Sequence, residues 1–252
     1  RRREDAEMTD RYIDFHCHLL PGMDFDGTDR MDESAKMCEL LKKQGVATIC
    51  ATPHFYPWRE NMDAFLARRE AAYRQAHTLY GDTRVILGAE VQLYENLCDA
   101  SANRMCYGDS NVILLELPDR PFGAWTVPAI ENTIFKYSLT PVIAHVERYG
   151  LTTEQIRSLA AIPRVIFQIT AETLAELPLL DRIASMGVPV VLGSDTHNMT
   201  SRPPRFNVIG DRMAEKPRLF DSSCKKAQAL IRSCLHAQGL LERLILAPAV
   251  KR

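Results

Sequence analysis

Short apolar, β-branched runs alternate with amphipathic helical stretches along most of the chain, and this alternation constrains the fold more than any single motif. Strands separated by helices pair in parallel, so repeated βα units imply an α/β protein built on a parallel sheet. Seven strands are predicted, at residues 12–20, 46–53, 84–91, 112–117, 140–146, 165–170 and 189–194. Most are near-continuous apolar runs, the pattern of strands covered on both faces. Helical patterns lie between them at 31–43, 62–80, 127–137, 153–160 and 171–186, with two more at 224–236 and 240–246. Gly45, Gly81 and Gly187 stand where three of these helices should end.

With 252 residues and no shift in composition, the chain reads as one domain over residues 11–252 behind a flexible extension, residues 1–10. Lys and Arg number 31 against 32 Asp and Glu, a net charge of -1, so no bulk field draws the chain to nucleic acid. The longest apolar runs fall far short of the roughly 18 residues a membrane span needs, and no apolar segment follows the basic start, so neither membrane insertion nor secretion is expected. Seven cysteines, an odd number without a CxxC pair, point to reduced thiols and a cytoplasmic protein.

Seven βα units suit either an open doubly wound sheet or a closed barrel. A dinucleotide fold needs a glycine-rich turn after its first strand, whereas here that turn is His16-Cys17-His18-Leu19-Leu20-Pro21-Gly22. A barrel with its site at the C-terminal ends of the strands fits better.

The i, i+2 spacing of His16 and His18 on a strand turns both imidazoles to one face and Cys17 to the other. One such pair is a modest signal. It gains weight because polar residues recur where the other apolar strands end: His54, Glu90, Glu116, His145, Asp195 and His197. Carboxylates embedded in apolar strands need partners, since an unpaired buried charge is costly. A set of separate salt bridges is one solution and a metal centre is the other. Imidazole and carboxylate without thiolate suit manganese, iron or zinc, and eight donors exceed the needs of one ion. Two or three ions sharing a bridging carboxylate is the arrangement for in-line displacement at phosphorus, so phosphoester hydrolysis is the leading reaction class. Arg148 and Arg202, in loops beside His145 and Asp195, have the fork geometry that grips a phosphoryl group.

The strings Asp14-Phe15-His16-Cys17-His18-Leu19-Leu20-Pro21-Gly22, Ala51-Thr52-Pro53-His54, Gly88-Ala89-Glu90-Val91, Leu114-Leu115-Glu116-Leu117-Pro118, Ala144-His145-Val146-Glu147-Arg148-Tyr149 and Ser194-Asp195-Thr196-His197-Asn198 resemble, in order, the motifs of the PHP (polymerase and histidinol phosphatase) superfamily. Within it they most resemble the manganese-dependent bacterial protein-tyrosine phosphatases of capsule and exopolysaccharide operons. The resemblance implies a distorted (β/α)7 barrel holding three manganese ions, with iron or zinc as substitutes. It would assign His16, His18, Glu90 and Asp195 to the first ion, bridge Glu90 to a second completed by Glu116 and His145, and give His54 and His197 to the third. Arg148 and Arg202 match the phosphate-gripping arginines. The implied substrate is a phosphotyrosine protein, the tyrosine-rich tail of a bacterial kinase.

Two departures stand out. Pro21-Gly22-Met23-Asp24-Phe25-Asp26-Gly27 has one residue more than the usual motif, so the acidic ligand of the third ion is Asp26 counted from the glycine or Asp24 counted from His16, with Asp26 preferred. Val146 replaces the usual proline, which bears on the aim of Arg148. The rival functions are hydrolysis of a small monoester such as histidinol phosphate, and an inactive metal-binding partner protein.

Cys98 and Arg104 match the C-x5-R spacing of thiol-dependent phosphatases, but the loop between them has no glycine and Asp99 would raise the thiol pKa, so the spacing reads as chance. His77 and His236 read as outer-helix residues. Two aromatic groups, Phe55-Tyr56-Trp58 and Phe122 with Trp125, serve either as loop cover or as stacking partners for a phenyl ring.

Overall fold

All strand pairings in the structure, a computed structural model that describes residues 12–95, 97, 102–170, 179, 182–183 and 185–208, are parallel. The strands are β1 (Tyr12–Cys17), β2 (Val46–Ala51), β3 (His54–Phe55), β4 (Arg84–Leu87), β5 (Glu90–Gln92), β6 (Val112–Glu116), β7 (Thr140–Ile143), β8 (Ile166–Thr170) and β9 (Val190–Gly193). They form a three-stranded sheet in the order β1-β2-β4 and a six-stranded sheet in the order β3-β5-β6-β7-β8-β9.

Nine segments arise from seven predicted strands because two of those runs are broken. Pro53, which has no N–H to give, interrupts the second run between β2 and β3. Gly88 interrupts the third between β4 and β5, where a Cβ would come within 2.8 Å of Tyr107 Cδ1. Hydrogen bonds carry the pairing across both breaks: Thr52 N–H to Cys17 O at 2.9 Å, Gly88 N–H to Ala51 O at 2.9 Å and Glu90 N–H to Pro53 O at 3.0 Å. The predicted fifth strand stops early at Ile143, since His145 turns to φ 28° and starts a 3-10 turn over Val146–Tyr149.

Four helices lie wholly among the described residues: α1 (Met31–Lys43), α2 (Met62–Ala76), α3 (Thr126–Tyr137) and α4 (Thr153–Ala160). The predicted continuation of α2 to residue 80 is a 3-10 turn, His77–Tyr80, closed by Gly81 at φ 61°. A capping box starts α4, with the Thr152 hydroxyl accepting from Gln155 N–H and the Gln155 side chain accepting from Thr152 N–H. The predicted helix over 171–186 lies mostly outside the described residues, and those at 224–236 and 240–246, with the 1–10 extension, lie wholly outside them.

Alternation along the strands sorts the core into two faces. Phe15, Cys50, Val112, Leu114, Val142, Ile166 and Val191 pack together on one side with Tyr107, whose O–H donates to Phe15 O at 2.8 Å. Ile113, Leu115, Ile143, Phe167 and Ile169 face the other way, onto Met37, Leu41, Phe65, Ile130 and Leu159 of the helices. Strands buried on both faces are what the near-continuous apolar runs required. The first strand also meets the segment after the last: Asp195 N–H donates to His16 O at 2.7 Å, His18 N–H to Thr196 O at 2.8 Å and Ser194 N–H to Asp14 Oδ1 at 2.8 Å. No helix among the described residues is long and apolar enough to cross a membrane.

Candidate metal centre

The C-terminal ends of the strands converge on one buried polar cluster. β1 ends at Cys17, short of the predicted residue 20, but the extended chain carries its alternation one residue further, so His16 and His18 share a face, their Nε2 atoms 3.0 Å apart, while Cys17 packs into the apolar core. Glu90, at the start of β5, lies between four imidazoles. Its Oε2 is 3.1 Å from His16 Nε2, 3.2 Å from His18 Nε2 and 2.9 Å from His54 Nδ1, and its Oε1 is 2.8 Å from His145 Nε2. Asp195 completes the set, with Oδ1 3.5 Å from both His16 Nε2 and His18 Nε2.

Four sets of donor atoms are close enough to share an ion, each set lying within 4.8 Å: His16 with His18 and Asp195; His16 with Glu90 and His145; His18 with His54 and His197; and His54 with Glu90 and Glu116. Glu90 Oε2 and Asp195 Oδ1 are buried and have no hydrogen-bond partner among the described residues. Buried carboxylate oxygens aimed at imidazole nitrogens, without donors of their own, are the chemistry of a divalent-cation site. The residues present therefore fit the metal that the sequence implies.

The electrostatics agree. Burial alone would raise the Glu90 carboxyl, but facing His16, His54 and His145 holds it well below the usual carboxylate range. Asp195 is likewise held well below that range, against burial, by His16, His18 and Arg148. Burial would lower the rings of His16 and His18, yet Glu90 and Asp195, and Asp24 for His18, raise both. Positive charge is thus favoured at this point, whether carried by protons or by an ion. His197 goes the other way: burial, His18 and Arg202 lower it, leaving the neutral ring a metal ligand needs.

Both aspartates of the lengthened loop reach the cluster, with different tasks. Asp24 spends its oxygens on positioning, with Oδ2 3.1 Å from His18 Nδ1 and Oδ1 accepting from His54 N–H at 2.7 Å. Asp26 has Oδ2 3.4 Å from His197 Nε2 and Oδ1 4.0 Å from His54 Nε2, and that Oδ1 has no hydrogen-bond partner among the described residues. Glu116 Oε2 accepts from Gln92 Nε2 at 3.2 Å, and burial together with Glu90 raises its carboxyl. Arg148 and Arg202 both contact Asp195 Oδ2, and Arg202 Nη1 also donates to Asp26 Oδ2 at 3.3 Å. All eleven residues singled out in the sequence thus gather at one end of the strands.

Two residues of the centre have strained backbones. His145 sits at φ 28° and Asp195 at φ 51°, a region that residues with a Cβ seldom occupy, and Ser138 and Arg164 do so away from the site. Such positions concentrate at functional sites.

The sequence reading missed Gln168. It lies fully buried on β8, and its Oε1 is 3.0 Å from His16 Nδ1 and accepts from His145 N–H at 2.6 Å. A polar residue inside the apolar run Val165-Ile166-Phe167-Gln168-Ile169 is the same signal that exposed Glu90. Gly193 leaves the space, since a Cβ there would come within 2.5 Å of His16 Cβ and 2.8 Å of Gln168 Nε2. The alternatives fall away from the site: Arg104 pairs with Asp63 at 2.6 Å, His77 Nδ1 lies 2.9 Å from Arg74 O at the end of α2, and Cys98 and His236 lie outside the described residues.

Comparison with known proteins decides the family. Residues 12–218 match the family described as capsular polysaccharide synthesis, CpsB/CapC. The chain belongs to the CpsB/CapC family. Among its relatives, the tyrosine-protein phosphatase YwqE of Bacillus subtilis (strain 168) is 30% identical over 207 residues, covering 75% of this chain and 79% of YwqE. The tyrosine-protein phosphatase CpsB of Streptococcus pneumoniae is 26% identical over 225 residues, 81% of this chain and 90% of CpsB. A solved structure from the work on YwqE and CpsB, described as unique metal-dependent tyrosine phosphatases, superposes with a TM-score of 0.70 at 24% identity, over 87% of this chain and 94% of that one. The CpsB/CapC fold is thus the parallel α/β architecture seen here, and the resemblance read from the motifs is borne out.

Proposed function

We propose that this chain is a metal-dependent protein-tyrosine-phosphate phosphatase acting in capsular or exopolysaccharide synthesis. One observation carries the reading: a single buried carboxylate, Glu90, faces four imidazoles within 3.2 Å, and Arg148 and Arg202 reach the carboxylate beside it. The names of its CpsB/CapC relatives support the choice of phosphotyrosine. The proposed scaffold is a distorted (β/α)7 barrel closed between β1 and the segment after β9, supported by the hydrogen bonds of His16 and His18 to Asp195 and Thr196. It makes up one domain, residues 11–252, behind the 1–10 extension.

In this reading His16, His18, Glu90 and Asp195 hold one ion, Glu90 is shared with Glu116 and His145 at a second, and Asp26, His54 and His197 hold a third. Manganese is the proposed ion, with iron or zinc as substitutes. When bound, such ions neutralise phosphoryl charge and make water acidic enough to supply a nucleophile near neutral pH. The chain's own part is positional. Glu90 fixes four imidazoles at once, Gln168 keeps the Nδ1 proton on His16 so that Nε2 stays a donor to metal, and Asp24 does the same for His18. Arg148 and Arg202 are the groups that grip and neutralise the equatorial phosphate oxygens. A phenolate, with a pKa of about 10, leaves far more readily than an alkoxide, so the mechanism needs no named general acid. The substrate is a phosphotyrosine protein, with the tail of a bacterial tyrosine kinase as the proposed partner, in the cytoplasm, where the buried thiols stay reduced.

The test is hydrolysis of a phosphotyrosine peptide, a phosphoserine peptide and histidinol phosphate by protein stripped with chelator and reloaded with manganese, iron, zinc or magnesium. Selective, metal-restored hydrolysis of phosphotyrosine that is lost in His18→Ala is expected. A preference for histidinol phosphate, or full metal loading without any turnover, would overturn it.

A further inference from the structure

Beside the metal centre lies a cavity of about 510 Å³, between the segment after β6 and the turn after β7. Pockets of roughly 300–1,000 Å³ with apolar walls and a few placed polar groups are typical of ligand sites. Its walls combine Phe122, Trp125 and Tyr149 with the charged Asp119, Arg120 and Arg148, and are more polar than apolar. Arg148 belongs to both places, lining the cavity and contacting Asp195 in the donor cluster. A group held in the cavity is therefore one side chain away from a phosphate held by that arginine.

The aromatic walls are built rather than incidental. The Arg120 guanidinium lies 3.8 Å from the Trp125 ring centroid. A Cβ at Gly123 would come within 2.9 Å of Trp125 Cδ1 and 3.0 Å of its Nε1, so the absence of a side chain there gives the indole its seat. Tyr149 is fixed by its hydroxyl, which accepts from Leu117 N–H at 2.9 Å.

We propose that this cavity receives the aromatic ring of the substrate phosphotyrosine, with Trp125 as the residue that stacks on it and so sets selectivity for aryl phosphates. The proposal rests on the phosphatase reading above and adds the place of the leaving group. A phenyl ring offers flat faces for stacking on an indole and a π surface for the neighbouring guanidinium. Phosphoserine and phosphothreonine have no ring to fill the cavity. The other aromatic group does not line this cavity and offers less: Trp58 is 62% exposed, Phe55 is buried in the core, and the Tyr56 ring already packs on His54 at 5.2 Å.

The chain has two tryptophans, one in each group, so fluorescence separates the two places. Metal-loaded Trp58→Phe protein reports on Trp125 alone, and Trp125→Phe protein on Trp58 alone. Phenylphosphonate, which is not hydrolysed, should quench the Trp125 reporter and leave the Trp58 reporter unchanged, while methylphosphonate quenches neither. In turnover, Trp125→Ala should raise KM for phenyl phosphate and for a phosphotyrosine peptide about five- to tenfold, with the smaller effect on kcat and with inhibition by inorganic phosphate unchanged. Gly123→Val, which crowds the indole, should reproduce that KM change if Trp125→Ala does not fold. Quenching confined to Trp58, equal quenching by methylphosphonate, or a KM that rises for the peptide but not for phenyl phosphate would each overturn the proposal. The binding readout needs no turnover. A protein that binds phenylphosphonate at Trp125 yet hydrolyses no phosphotyrosine would therefore count against the phosphatase reading and leave the ring site standing.

Discussion

Gln168 holds the His16 ring and the backbone of His145 on one carbonyl oxygen, and it does so from the middle of β8. Groups that orient metal-bound imidazoles typically matter about 10- to 100-fold in metal affinity. Gln168→Ala should therefore weaken binding of the first ions by about that factor, measured by calorimetric titration of chelator-stripped protein, with the circular dichroism spectrum retained. Unchanged affinity would remove Gln168 from the centre. At this scale the sequence was legible wherever ionisable type and strand end coincided, as at His16, His18, Glu90 and Asp195. Gln168 passed unnoticed because an uncharged amide in a strand is ambiguous until its direction is known. The choice between Asp24 and Asp26 was open for the same reason: spacing places both in the loop, and only the geometry separates the carboxylate that anchors His18 and His54 from the one beside His197.

Between elements, the join of β1 to the segment after β9 depends on Asp14. Its buried Oδ1 accepts from His16 N–H at 3.1 Å and Ser194 N–H at 2.8 Å, and burial pushes its carboxyl up to about 6. Asp14→Ala strands two buried donors and should cost about 2–4 kcal/mol in urea denaturation. Asp14→Asn keeps the acceptor and sheds the buried charge, so it should cost less than about 1 kcal/mol. Equal losses in the two variants would mean that the side chain acts by charge. Helices α1 and α4 lie where their periodicity put them, because each has a full amphipathic pattern and clear ends. The strands were less legible. Pro53 and Gly88 each broke a run that reads as continuous, and His145 left its strand for a backbone conformation that residue type alone does not announce.

For the whole molecule, the donors come from β1, β3, β5 and β6 and from the segments after β1, β7 and β9, so bound ions would tie strands of both sheets together. A ligand that binds only the folded chain stabilises it by about 2.7 kcal/mol at a hundredfold excess over its Kd. For a domain of this size each kcal/mol shifts the melting temperature by roughly 2–4 °C. Chelation should therefore lower Tm by about 5–10 °C, reversed by adding back the ion, in a thermal scan at neutral pH. Acidification should have a similar effect, because imidazole ligands must be neutral to bind. The βα alternation made the parallel α/β class legible from the start. A closed barrel was the expectation read from the polar strand ends and the motifs; which backbone and side-chain groups join β1 to the segment after β9, such as Asp14 with Ser194 some 180 positions on, was not legible.

His145 and Asp195 answer to two independent demands, a donor atom for the centre and a backbone at positive φ. Histidine, aspartate and asparagine are the side chains that tolerate that backbone best, apart from glycine. Their codons differ by one base, but other single-base changes at the same codons give residues such as leucine, proline, alanine and valine, which offer no donor. Chemistry then removes asparagine, whose amide is a poor substitute for imidazole or carboxylate. Exchange of histidine and aspartate for one another, one base apart, is the change that meets both demands, so sequence drift at these two positions is confined to that narrow route.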